Sequence, residues 1–101
     1  MAERDVVSRC VAQLAALGAT HRHIIYRGRK GCPDTLFLFE KHCYACVVEF
    51  KDEDKDLRRE QRKERERWQA AGIDAYAVRG HDEREQVVAT IRSILEKRNA
   101  R

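Results

Sequence analysis

The stretch "GCPDTLFLFEKHCYACVVEFKDEDKD", residues 31–56, decides the fold. It contains two apolar runs, 35–39 and 43–50, separated by a short polar turn. A turn of this length joins antiparallel strands, so we predict a β-hairpin. The second run is apolar almost throughout, which is typical of a central strand covered on both faces. Each run also carries a carboxylate at one end: Asp34 precedes the first, and Glu49 lies at the end of the second.

Helices and further strands are predicted on both sides of this hairpin. Before it, apolar residues at helical spacing predict a helix over 3–17, followed by a strand over 23–27. After it, we predict a helix over 57–71, a strand over 74–79 and a last helix that begins at Asp82, with Glu three residues later. The order α-β-β-β-α-β-α predicts an α/β fold with a mixed central sheet flanked by helices.

The composition is that of a small globular protein with a densely charged surface. The 101 residues fit one domain over 1–101, and a hydrophobic fraction of 43% excludes wholesale disorder. The net charge of +4 favours an acidic partner, and the segment from Val6 to Pro33 contains five Arg and Lys residues but no Asp or Glu. Such a basic segment fits a phosphate backbone. Neither a secretory signal nor a membrane span is apparent, which predicts a cytoplasmic protein with no membrane partner.

The four cysteines, Cys10, Cys32, Cys43 and Cys46, lie mostly in apolar contexts and are interpreted as small core residues. Cys43 and Cys46 have the C-x-x-C spacing. On a strand, an offset of three turns two side chains to opposite faces of the sheet, which disfavours a shared zinc or redox site.

Acidic and basic side chains are predicted to meet at one end of the hairpin. Antiparallel pairing brings the start of the first strand next to the end of the second, and so Asp34 next to Glu49. Glu49 and Lys51 are two residues apart and therefore share a face of the strand. The two carboxylates and the backbone carbonyl of Phe50 offer the hard oxygen ligands that Mg²⁺ prefers. With Lys51 beside them, the group suits metal-dependent phosphodiester hydrolysis.

Each of these residues also has a plainer structural interpretation. Glu49 and Lys51 would form a surface ion pair as the strand leaves the core, and Asp34 would cap the turn after Pro33. Glu3, in the first turn of the first helix, would either favour the helix dipole from the solvent or lean over the end of the sheet.

The order of the motifs resembles the VRR-Nuc branch of the PD-(D/E)xK nuclease superfamily. The matching features, over about residues 3 to 80, are Glu3, the basic loop "RGRKGCPD", the strand end "VVEFK" and Gln61. The resemblance implies a restriction-endonuclease-like α-β-β-β-α-β core with a C-terminal helix. It also implies a metal-dependent, structure-selective DNA endonuclease that uses Mg²⁺ or Mn²⁺. Asp34 and Glu49 would be metal ligands, Lys51 the catalytic lysine, and Glu3 and Gln61 accessory site residues.

The predicted DNA contacts come from the basic loop and from the helix after the hairpin: Tyr26, Arg27, Arg29, Lys30, Arg58 and Arg62. Tyr26 would stack on a base or, equally, end a strand as a buried residue. Two features depart from the family pattern. The acidic "DEDKD" replaces a Gly-rich loop and would repel phosphate, and Tyr26-Arg27 replaces a Ser-Pro pair.

Small stand-alone members of this branch are phage or bacterial proteins that resemble Holliday-junction resolvases, which act as dimers. The resemblance therefore implies cleavage of branched DNA by a homodimer, because a two-fold dimer supplies the two equivalent sites that paired cuts need. Three alternatives stay open: a nuclease for flaps or plain duplex DNA, an inactive nucleic-acid-binding module, and a protein whose basic loop meets an acidic protein partner.

Overall fold

A computed structural model describes residues 3–24, 33–51 and 59–98 of the chain. The helices and strands of these ranges follow one another in the predicted order. They are α1 (Glu3–Ala16), β1 (Thr20–His23), β2 (Thr35–Phe39), β3 (Tyr44–Lys51), α2 (Arg59–Ala70), β4 (Asp74–Arg79) and α3 (Gly80–Arg98). A single 3₁₀ turn, Glu40–His42, joins β2 to β3. None of the helices in these ranges is long and apolar enough to cross a membrane.

The strands form one mixed sheet in the order β1-β2-β3-β4. β2 is antiparallel to β1 and to β3, whereas β3 and β4 are parallel and are connected through α2. The predicted hairpin and the central position of the second apolar run are thus confirmed. β3 is buried along most of its length because it has a strand on each side and helices over both faces.

The main core lies on the face of the sheet that α1 and α3 cover. Helical spacing of three and four residues puts the apolar side chains of each helix on one stripe, and alternation along the strands turns every second residue toward them. The residues of this core that are 2% exposed or less are Val6, Cys10, Leu14, Phe37, Phe39, Cys46, Val48, Val78, Val88 and Ile91.

The opposite face of the sheet is covered differently. Val47 and Ala75 are buried there, but the buried residues of α2 are the polar Gln61 and Glu64. A helix with so few apolar side chains cannot seal this face, so polar and charged groups meet along it.

Two elements begin at least two residues before the predicted position, whereas the ends of α1, β3 and α2 differ from the prediction by one residue. The first strand begins at Thr20 instead of 23, because it is an edge strand whose three last residues are exposed and whose sequence shows no apolar alternation. β1 ends at His23, and residues 25–27 of the predicted strand lie outside the described ranges. The last helix begins at Gly80 instead of Asp82, because the Glu83 carboxylate accepts a hydrogen bond of 2.7 Å from the backbone N–H of Arg79. The predicted start of α2 before Arg59 lies outside the described ranges.

The cysteines divide between core and turn. Cys10 and Cys46 are buried, which confirms their interpretation as core residues, and burial raises the pKa of their thiols to about 11 and about 12. Cys43 is exposed and has a left-handed backbone (φ 52°) at the end of the 3₁₀ turn, so its assignment to the strand and the core is wrong. The reason is the tight reversal, which takes one residue from the apolar run. Cys32 lies outside the described ranges.

Candidate active site

Asp34 and Glu49 start from neighbouring backbone positions on one face of the sheet. In the β2–β3 register Thr35 lies opposite Val48, so continuing by one residue puts Asp34 opposite Glu49. On the other side of β2, the backbone N–H of Ile24 donates to the Asp34 carbonyl at 2.9 Å, which extends the β1–β2 pairing by one residue. Directly opposed residues of antiparallel strands point to the same face, with Cβ atoms about 4.5–5.5 Å apart.

The neighbours of Asp34 hold its carboxylate in place. The Thr35 hydroxyl donates to Asp34 Oδ1 at 3.1 Å. Thr35 itself is 2% exposed, and Pro33 on the other side is buried. A half-buried carboxylate between two buried residues has few orientations open to it, which is useful for a metal ligand.

β3 extends three residues past Val48 and so carries Glu49, Phe50 and Lys51 along the end of the sheet. Glu49 and Lys51 are both half-buried and alternate with Phe50, which is 4% exposed in the core on the other face. The buried Phe50 ring anchors this strand end. Its backbone carbonyl therefore belongs to a rigid segment between the carboxylate and the ammonium.

Gln61 of α2 and Glu49 of β3 line the same cavity. This narrow cavity is lined by Pro33, Glu49, Gln61, Arg65 and Ala77, among other residues. Gln61 is 6% exposed, which is unusual for an amide on a helix as polar as α2. The structure thus places Glu49 and Gln61 on one cavity and Lys51 two residues further along β3, and the β2–β3 register, continued by one residue, would bring Asp34 to the same end of the sheet.

The donor set fits a divalent cation with a preference for oxygen. Two carboxylates on one face and a backbone carbonyl are hard ligands of the kind that suit Mg²⁺ and Mn²⁺, with water completing the coordination. Within the described ranges, no cluster of three or more Asp, Glu, His and Cys side chains is placed to hold a metal ion. The predicted set contains only two such side chains there, Asp34 and Glu49.

Other predicted site residues lie outside the description. These are Tyr26, Arg27, Arg29, Lys30 and Arg58, together with the side chain of Glu3. The backbone of Glu3 begins α1, and Asp5 two residues later lies 3.3 Å from Nε2 of His81 at the start of α3. Because α3 directly follows β4, the start of α1 lies near the end of the sheet that carries Lys51.

Arg62 is exposed on α2, and the structure adds two arginines that sequence reasoning missed. Arg62, Arg65 and Arg79 line a common cleft of about 390 Å³ next to the Glu49 cavity. Arg65 follows Gln61 by four residues and so shares its helix face, a signal present in the sequence. Arg79 ends β4, and the carboxyl ends of parallel strands meet at one edge of a sheet. We name this feature the arginine cleft.

Comparison with known proteins supports the motif-based resemblance. A solved structure described as a VRR_NUC domain superposes with a TM-score of 0.76 at 27% sequence identity, covering 86% of this chain and 94% of that chain. No protein-family model and no curated protein matches the sequence. The predicted resemblance to the VRR-Nuc family and the predicted α/β class are thereby confirmed.

Proposed function

We propose that this chain, which has the fold of a VRR-Nuc nuclease domain, is a metal-dependent endonuclease for branched DNA, acting as a Holliday-junction resolvase. Its structural similarity to a VRR_NUC domain indicates a nuclease domain with DNA as substrate. The observation that supports metal-dependent cleavage is the β2–β3 register, in which Thr35 lies opposite Val48, so that the next residues, Asp34 and Glu49, would face each other at the sheet end that bears Lys51. The preference for branched DNA rests on the family resemblance.

In the proposed site, Asp34, Glu49 and the Phe50 carbonyl would hold Mg²⁺ or Mn²⁺. When bound, such an ion stabilises phosphate charge and makes water a stronger nucleophile. Side chains of the protein would supply further stabilisation of the transition state. Lys51 would place a positive charge next to the phosphate oxygens, where negative charge develops during in-line attack.

Gln61 and Glu3 have supporting roles in this proposal. Gln61 lines the cavity beside Glu49, where its amide would donate a hydrogen bond to that carboxylate or to a water next to it. Glu3 would accept a hydrogen bond at the same end of the sheet. Thr35 would act as a positioning residue, because it donates to Asp34 and touches no reacting atom.

We propose that residues 1–101 form a single nuclease domain and that two copies form a homodimer. Resolution of a four-way junction needs two symmetric cuts, and a two-fold dimer presents two equivalent sites. Light scattering after gel filtration, with and without junction DNA, measures this assembly directly. A chain that stays monomeric on the junction would contradict the dimer, without affecting the nuclease assignment.

The nuclease proposal is tested with a labelled synthetic four-way junction, a 5′ flap and a linear duplex of equal length, each with Mg²⁺ or Mn²⁺. We expect paired cuts in the junction by the wild type, and loss of cleavage by at least about 100-fold in Asp34→Asn and Glu49→Gln. Glu96→Gln makes the same carboxylate-to-amide change at an exposed position of α3 and should cleave normally.

The substrate panel separates the alternatives. Preferred cutting of the flap or of the duplex would replace the resolvase with a repair-type or restriction-type nuclease. Tight DNA binding without cleavage of any substrate under either metal would identify an inactive binding module. Cleavage by Asp34→Asn at the wild-type rate would remove the proposed metal site.

A further inference from the structure

The described residues that line the arginine cleft carry more positive than negative charge. Arg62, Arg65 and Arg79 line it, and Glu83 is the carboxylate among its lining residues. The Arg79 guanidinium is bound to Glu83, with Arg79 Nη2 and Glu83 Oε2 2.8 Å apart. Among the described lining residues, one carboxylate therefore faces three guanidinium groups, and like charges that converge on one space repel.

Two of the three arginines are held in fixed orientations. Arg79 contacts Glu83 through both Nε and Nη2, while the Glu83 carboxylate also accepts from the backbone N–H of Arg79. Arg65 Nε donates to the Ala75 carbonyl at 2.8 Å. Guanidinium groups that are already oriented lose little conformational entropy when an anion binds.

The cleft adjoins the proposed active site. In the parallel register Ala77 pairs with Glu49 and Arg79 pairs with Lys51. Ala77 and Arg65 line both the arginine cleft and the cavity next to Glu49. Neighbouring strands are about 4.8 Å apart, so Arg79 starts only one strand spacing from the strand that carries Glu49 and Lys51.

The chemistry of the lining selects a phosphate group. Guanidinium groups match the oxygens of phosphate in pairs, and none of the described lining residues is aromatic, so the cleft has no platform for a base. A site with charge but without base contacts fits a sequence-independent contact to the nucleic-acid backbone.

We propose that the arginine cleft binds a backbone phosphate of the DNA next to the scissile phosphate and thereby sets the position of the cut strand on the sheet. This inference rests on the proposed nuclease function, since it names the second anchoring point of that substrate. It assigns Arg65 and Arg79 as DNA-positioning residues in addition to Arg62.

The test measures binding apart from cleavage. A fluorescent four-way junction is titrated in EDTA at several salt concentrations, using wild type, Arg62→Gln, the double variant Arg62→Gln/Arg65→Gln, and Arg92→Gln as a charge-matched control on the exposed face of α3. We expect about tenfold weaker binding for the double variant and a salt slope smaller by about 1, as for the loss of one phosphate contact. The slope for Arg92→Gln should stay at the wild-type value.

Because Arg65 of α2 donates a hydrogen bond to the backbone of β4, circular dichroism is used to check that the double variant is folded. If it is unfolded, the binding of the single variant Arg62→Gln, whose changed residue is exposed, tests the inference. Arg62→Lys keeps the charge but loses the paired N–H donors, so it should recover the salt slope and only part of the affinity. Equal losses for Arg62→Gln and Arg92→Gln would overturn the inference. Failure of wild-type cleavage with intact cleft-dependent binding would instead count against the nuclease proposal.

Discussion

Replacing Glu83 with glutamine removes a charge from the junction between β4 and α3. The Glu83 carboxylate accepts from the Arg79 backbone N–H at 2.7 Å and from the Arg79 guanidinium at 2.8 Å. Glutamine keeps the size and one acceptor oxygen of the side chain but loses the charge. Glu83→Gln therefore tests how much the charged contact contributes to the stability of the fold.

The expected loss is about 1 kcal/mol. The Arg79 and Glu83 side chains are 32% and 31% exposed, so their ion pair is partly screened by solvent. Surface ion pairs contribute about 0–1 kcal/mol, and the loss of a side-chain cap at a helix start costs about 0.5–2 kcal/mol. Because glutamine retains part of the cap, the lower part of the combined range applies. In a domain of this size, 1 kcal/mol lowers Tm by about 4–8 °C.

The loss should also depend on pH. The hydrogen bond from Arg79 holds the pKa of the Glu83 carboxyl below its ordinary value, more than offsetting the opposite effect of burial. A lowered pKa in the folded state adds stability above the ordinary pKa, and this stability disappears as the pH falls through the folded-state value. The wild type and Glu83→Gln should therefore differ at pH 7 and converge in acid.

Urea unfolding at pH 7 and at steps down to pH 3 measures both quantities, with Glu96→Gln as the exposed control on α3. A difference in the free energy of unfolding that stays constant from pH 7 to pH 3 would refute the charge argument. A Glu83→Gln variant as stable as the wild type at pH 7 would refute the capping argument as well.

Three further changes have defined outcomes. Thr35→Val removes the donor to Asp34 and should weaken Mn²⁺ binding by about tenfold in calorimetry, with unchanged affinity contradicting the positioning role. Tyr44→Phe removes the hydroxyl that donates to Asp74 at 2.6 Å and should lower the free energy of unfolding by about 1–2 kcal/mol in urea. Since Tyr44 begins β3 at the end remote from Lys51, junction cleavage at 25 °C should stay at the wild-type rate. Gly72→Ala should cost about 1 kcal/mol in thermal unfolding because φ is +89° there, and an unchanged Tm would show that the turn relaxes.

The fold could be predicted where the apolar pattern was strong. β2 and β4 have the predicted bounds, and β3 is displaced by one residue at each end. β1 was misplaced because an edge strand is held by backbone pairing with β2 and needs no apolar side chains of its own. The start of α3 was missed for a similar reason: the contact between Glu83 and the Arg79 backbone depends on a turn at Gly80 (φ 78°) that the sequence does not specify.

The candidate site was predictable in part, because strand periodicity alone links Glu49 to Lys51. To predict that Asp34 lies near them, the register of β2 against β3 must also be known, and this register depends on the length of the turn between the two strands. The arginine cleft was missed because Arg79 lies beside it only as a result of the parallel pairing of β3 with β4. The spacing of residues along the chain does not predict how two strands pair when a helix connects them. The contribution of residues 25–32 and of Glu3 stays a prediction.

The three-residue turn Glu40–His42 has a consequence for how this gene can vary. It lies at the opposite tip of the hairpin from Asp34 and Glu49, yet its length determines the register in which β2 pairs with β3. Inserting or deleting one residue there would slide β2 by one position, turn Asp34 to the other side and bring Phe37 and Phe39 out of the core. The insertion or deletion of a single codon in this solvent-exposed turn would thus disrupt both the core and the proposed active site, although the turn lies at the other end of the hairpin.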